Sequence, residues 1–350
     1  MKTTRILALT FLALSSSAAF AHVEPTTCQL DVHAKDPKTG DELKTYTFRG
    51  KVKGFPKTTW GLRGHCLAAI GRRPVESAVD VKTMVSGDVL SVRNFTHDNR
   101  LFFAAIDLSK LSGSVLQSMH FAPVIGDHAE MRVQFSTSDA IKLYPSLEAL
   151  KKGATPEFTL NELLLSIEGV PLLGRAYTFG GALKKQLTMA YRMMSVADKL
   201  DYVKNQPDQD SGKYLTLQAK LRYPAKFLRR LLVQYVTKSE QLGFSKGYDL
   251  VWDNCGNELM HVLQDVSKAS TDVLTDAQMI SQWNIDKATA PRTIGGTLKD
   301  KNLVDMSAEL PHFDDEDGTT IQGYDPDFYK KSNANYDARR AKALTGVYVE

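Results

Sequence analysis

One cysteine stands where a helix should begin. In Tyr248-Asp249-Leu250-Val251-Trp252-Asp253-Asn254-Cys255-Gly256-Asn257-Glu258-Leu259, a short apolar run meets Asp-Asn and then Cys255. Leu259, Val262, Leu263 and Val266 follow at i, i+3, i+4, i+7 spacing, the stripe of an amphipathic helix. Asp253 or Asn254 suits its N-cap, which puts Cys255 in the first turn. There the helix dipole and the free backbone N–H groups favour a thiolate. The same N–H groups, that of Cys255 included, can help to form an oxyanion hole. The expected chemistry is nucleophilic attack by sulfur on a carbonyl, provided a base is near.

Eight histidines are candidates for that base. His22, His33 and His65 belong to the N-terminal region, and His97 falls in a turn signal. His120 and His312 have no obvious partner, and His261 faces away from Cys255 on the same helix. His128 follows Gly126-Asp127 and opens a strand pattern, where a side chain can project from a sheet rim. It is the expected general base, working unprotonated, with activity falling as pH drops through its own pKa. A third group should orient the imidazole. Asp139, eleven residues on, is one candidate, with Gln134 and Asn254 as alternatives. Glu130 and Arg132 share a strand face with His128 and either line the site or pair with each other.

The chain carries its own indication of compartment. Lys2 and Arg5 precede the apolar and small-residue run Ile6 to Phe20, and Ala19-Phe20-Ala21 fits a small-x-small cleavage site. This reads as a secretory signal peptide cut after Ala21, so a periplasmic protein is expected. No later run reaches the ~18 apolar residues of a membrane span, so no integral membrane segment is expected in the mature chain. The overall charge of +4 is too small, and too evenly spread, to suggest a nucleic-acid partner. An oxidising compartment and three cysteines leave one unpaired. Cys28 and Cys66 share the N-terminal region and are the expected disulfide, with Cys255 reduced.

Other chemistry finds little support. GxSxG, HExxH, CxxC and P-loop patterns are missing, and the acidic run Asp314 to Asp317 lacks the alternation of an EF-hand loop. No cofactor and no metal are expected.

The elements that must position Cys255 and His128 fall into an α+β order. Residues 1–21 are the signal peptide. Residues 22–115 form a β-rich region, with period-two runs at Thr45 to Val52, Val79 to Val85, Val89 to Phe95 and Leu101 to Ile106. Residues 116–290 form the unit that holds both candidates. In it, Ala129 to Phe135 and Leu215 to Leu221 read as strands, Ala182 to Tyr202 as a helix, and Pro224 opens a further helix. Residues 291–350 are a polar tail, extended or poorly ordered.

Three segments together resemble the Lnb N-terminal periplasmic domain family. Gly126-Asp127-His128-Ala129-Glu130-Met131-Arg132 is similar to its Gly-His motif, with one extra residue in the Gly-His step. Tyr177-Thr178-Phe179-Gly180-Gly181 is similar to its Gly-Gly segment, and Asp253-Asn254-Cys255 with Leu259 to its Asn-Cys motif. The resemblance spans residues 116 to 270. It implies a circularly permuted papain-like domain of the NlpC/P60 kind, His strand before Cys helix. It also implies lipoprotein N-acyltransferase-like chemistry through an acyl-cysteine, or amide or ester hydrolysis. The substrate would be an envelope lipid, lipoprotein or peptide. The alternative is a non-catalytic envelope domain that kept the fold for binding or assembly.

Overall fold

The computed structural model describes residues 73–98, 100–122, 126–170, 187–199, 215–243, 246–248, 253–270 and 272–273, with four two-residue strand pieces outside those ranges. The expected signal peptide, Cys66, the segment Tyr177 to Gly181 and most of the polar tail lie outside the described residues. So does the Cys28–Cys66 pairing.

Sixteen strands are seen among the described residues. β1 (Thr27–Cys28) and β2 (Tyr46–Thr47) pair only with each other. The others form one mixed sheet of fourteen strands. They are β3 (Glu76–Ser77), β4 (Val85–Ser86), β5 (Val89–His97), β6 (Arg100–Asp107), β7 (Leu111–Ala122), β8 (Gly126–Phe135) and β9 (Ile141–Tyr144). They continue as β10 (Phe158–Leu160), β11 (Glu162–Val170), β12 (Leu187–Met194), β13 (Leu215–Leu221), β14 (Gly247–Tyr248), β15 (Val304–Asp305) and β16 (Thr320–Ile321). The main path runs β10-β9-β6-β5-β12-β11-β8-β7-β13-β15. Its pairs are antiparallel except β12 with β5, and β16 joins β13 in parallel off the path.

Among the described residues the three α-helices with defined bounds are α1 (Leu147–Lys151), α2 (Ala225–Leu242) and α3 (Cys255–Lys268). α2 starts after Pro224, whose missing N–H costs nothing at a helix entry. It buries Phe227, Leu228, Leu231, Leu232, Tyr235 and Val236, the i, i+3, i+4 stripe of the sequence. α3 buries Leu259, Met260, Val262, Leu263 and Val266. Both stripes join one apolar cluster with Ala129, Met131 and Val133 of β8, Leu163, Leu165 and Ile167 of β11, and Met189, Tyr191 and Met193 of β12. Each fully buried side chain of this kind contributes about 1.5–3 kcal/mol, so the helix–sheet interface fixes where the first turn of α3 sits.

The alternation of β8 sends its even-numbered residues to the opposite face. His128, Glu130, Arg132 and Gln134 stand there in a row. Strand register then places Glu130 beside Ser166 of β11 and Gln117 of β7, and Ser166 beside Arg192 of β12. A buried polar face is thereby built from four strands, the β7–β8 pair together with β11 and β12 from later in the chain.

Two expectations meet a different structure. The helix expected over Ala182 to Tyr202 is instead a strand over its described part, β12, followed by a helical turn at 196–199. All eight residues of β12 are buried, so the strand shows no alternation and its apolar positions mimic a helical stripe. The boundary expected at residue 116 falls inside β7, and strands from both sides of it share one sheet through the β5–β12 pair. At the coarse level the chain is mixed α and β, with a large mixed sheet and few helices. Among the described residues no helix is long and apolar enough to cross a membrane.

Candidate functional site

α3 begins at Cys255, with Asn254 as its N-cap. The Asn254 Oδ1 accepts from the N–H of Gly256 at 2.9 Å and of Asn257 at 3.0 Å. The cap therefore fixes the first turn and takes up two of the N–H groups that an oxyanion would otherwise use. Asn254→Ala is expected to cost about 1 kcal/mol of stability, measured by urea unfolding.

His128 and Cys255 come together. The β8–β11 ladder ends at Glu130–Ser166, one residue before Ala129. The freed Ala129 N–H points at the Cys255 Sγ, 3.5 Å away. Tyr248, in the short strand beside β12, also hydrogen-bonds to the sulfur, as does the His128 side chain. Burial opposes a charge on Cys255, but the His128 charge and these hydrogen bonds outweigh it and lower the thiol pKa. Burial likewise opposes a charged His128. The Cys255 charge and the hydrogen bonds that the imidazolium donates to Cys255 and Glu130 overcome it, together with the opposing Lys199, and push the imidazole pKa up to about 10. The two shifts favour the thiolate–imidazolium form of the pair over a neutral thiol beside a neutral imidazole.

That pair changes the expected pH dependence. His128 is charged at neutral pH, so its own pKa is not what limits the acid side. Reactivity is expected to fall in acid as the Cys255 thiolate gains a proton. It should fall again in alkali as His128 loses its proton near pH 10. A pH–rate profile of acyl transfer or hydrolysis, in which the leaving group takes the His128 proton, checks both limbs.

Behind the imidazole lies a layer of buried charge. The His128 Nε2 is 2.8 Å from the Ser166 Oγ and 3.4 Å from a Glu130 carboxylate oxygen. The Lys199 ammonium, in the helical turn after β12, is 3.1 Å from the same Glu130 oxygen. Despite the burial that would raise it, the Glu130 pKa is lowered by Lys199 and His128. Ser166 is also 3.3 Å from the Glu168 Oε1, and Glu168 is paired with Arg192 at 2.8 Å. Cys255 itself is 1% exposed and the His128 side chain 14%.

The remaining candidates stand elsewhere. Asp139 lies in the exposed turn between β8 and β9, beyond the far end of a strand that runs about 23 Å from His128 to Phe135 at about 3.3 Å per residue. Gln134 donates to Glu162, and Arg132 pairs with Glu162 in the same row. His261 meets Glu258 at 2.9 Å, and His97 meets Ser195 at 2.8 Å. Ser166, Glu168, Lys199 and Tyr248 belong to the site but went unread in the sequence. The only local signal for Tyr248 is its place in the run before Asn254-Cys255. Among the described residues no cluster of three or more His, Cys, Asp or Glu is arranged to hold a metal ion. Comparison of the chain with protein-family profiles, with curated proteins and with solved structures finds no match.

Proposed function

We propose that this chain is an exported thiol enzyme of the cell envelope that works through an acyl-Cys255 intermediate, on a circularly permuted papain-like framework. The observation that carries the reading is the buried Cys255–His128 pair at the start of α3, with the thiol pKa lowered and the imidazole pKa raised. The order of the two residues, His strand before Asn-Cys helix, accords with the resemblance to the Lnb N-terminal periplasmic domain family.

In the proposed reaction the thiolate adds to the carbonyl of an acyl donor and a C–S bond forms. The negative charge moves to the carbonyl oxygen. On collapse, the bond to the leaving group breaks, and His128 gives that group its proton, leaving a neutral imidazole and a thioester. An amine or water then attacks the thioester, its proton passes to His128, and the thiolate is released. An amine acceptor gives acyl transfer of the lipoprotein N-acyltransferase kind, and water gives hydrolysis. The donor class is an envelope lipid, lipoprotein or peptide.

The test is to incubate the purified protein with envelope lipids or lipopeptides and to look for a mass increase on the Cys255 peptide that hydroxylamine removes. One observation favours a second reading, a non-catalytic envelope domain used for binding or assembly. At 1% exposure the sulfur can meet a donor only if the chain above it moves aside. An unmodified Cys255 across many donors, with Cys255→Ala cells lacking the envelope defect of a deletion strain, would favour that reading.

A further inference from the structure

The Cys255–His128 pair leaves open which imidazole nitrogen serves the sulfur, and the groups behind the ring settle it. Glu130 stands on the same strand as His128, Lys199 comes from the turn at 196–199, Ser166 and Glu168 from β11, and Arg192 from β12. Cys255 of α3 faces the ring, and Tyr248 of β14 supports the sulfur. Ser166 is fully buried and has a single hydroxyl proton to give. The Glu168 carboxylate, 3.3 Å away and paired with Arg192, can only accept. The hydroxyl therefore donates to Glu168, and its oxygen accepts from the His128 Nε2 at 2.8 Å. Glu130, at 3.4 Å from the same nitrogen, is another acceptor. Both of these contacts of Nε2 thus ask it to carry a proton.

We propose that Ser166 and Glu168 are positioning residues that hold a proton on the Nε2 of His128 and leave Nδ1 to exchange protons with Cys255 and the leaving group. The inference rests on the thiol-enzyme reading above. It explains why the neutral imidazole left after proton donation is the Nε2–H form, ready to take the next proton at Nδ1. A ring that kept its proton on Nδ1 would present no base to the incoming acceptor.

Glu168→Gln is the discriminating variant, since it keeps the side-chain size. Its amide nitrogen can donate to Ser166, so the hydroxyl turns its own proton toward Nε2 and the preferred tautomer reverses. Ser166→Ala only removes an acceptor. In full-length protein carrying Cys255→Ala, nitrogen-15 spectra of the histidine rings above the His128 pKa are expected to show Nε2–H. With Glu168→Gln added, the ring should shift toward Nδ1–H. In protein that keeps Cys255, ultraviolet titration of the thiolate should show the Cys255 pKa raised by about one unit in Ser166→Ala, a tenfold loss of thiolate on its acid limb. The rise should be at least as large in Glu168→Gln. Circular dichroism checks that both variants fold, and the isosteric Gln variant carries the test alone if the Ala variant does not. An unchanged tautomer in Glu168→Gln would overturn the relay. The tautomer readout needs no thiol, so it fails or holds separately from the thiol-enzyme reading.

Discussion

Cys255→Ala is expected to abolish acyl-enzyme formation and to lower turnover by roughly four to six orders of magnitude. In the proposed reaction the sulfur is the nucleophile, because it sits beside His128 at a helix start, whereas the Ser166 hydroxyl next to the ring gives its proton to Glu168. His128→Ala should cost nearly as much. Removing the imidazolium takes away the largest stabilisation of the buried thiolate and the proton that the leaving group needs. The two residues act as one unit, so the double variant should be little worse than either single one. Both variants should remain folded by circular dichroism. Rates of acyl transfer or hydrolysis on the donor identified by thioester trapping supply the measurement.

Glu258→Ala is expected to be the most damaging single change to stability, at roughly 3–5 kcal/mol. Glu258 is fully buried one turn beyond Cys255. It accepts from the Tyr191 hydroxyl, meets His261 at 2.9 Å and Lys238 at 3.8 Å, and pairs closely with Lys246. Lys246 in turn reaches Asp253 at 3.0 Å, so the cluster ties the approach to the N-cap onto α3 and β12. Removing the carboxylate leaves partly buried positive charge and a buried phenol without their acceptor. Burial would raise the Glu258 pKa, but the hydrogen bond from His261 and the charges of Lys246 and Lys238 hold it well below the ordinary carboxylate range. A depressed carboxylate pKa contributes stability above the unfolded value, near about 4.3, and that contribution is lost as pH falls through the folded value. Urea unfolding at neutral and acid pH should therefore show a difference between wild type and Glu258→Gln that shrinks in acid.

Local patterns in the chain carried much of this site. The Asn254 cap and the stripe Leu259, Val262, Leu263, Val266 announce α3, and the structure begins it at Cys255. Alternation through Ala129, Met131, Val133 and Phe135 announces β8, with His128 on the polar side. β12 was hidden, because a strand buried on both faces loses its period of two. The groups behind His128 were hidden for a different reason. Ser166 reaches His128, Lys199 reaches Glu130 and Arg192 reaches Glu168 only through cross-strand register and the turn after β12, which no local pattern fixes. Asp139 drew notice because it follows β8 closely in sequence, yet extended strands carry neighbours away from each other at about 3.3 Å per residue.

The most direct test of the central claim is the acidity of Cys255, read from the ultraviolet absorbance of its thiolate. The difference titration between wild type and Cys255→Ala isolates this sulfur from the other two cysteines and needs no access for a reagent. The account predicts a thiolate band that persists to lower pH than that of an ordinary thiol, and a titration displaced upward in His128→Ala. A Cys255 that titrates near the ordinary thiol value of about 8.5, unmoved by His128→Ala, would contradict it.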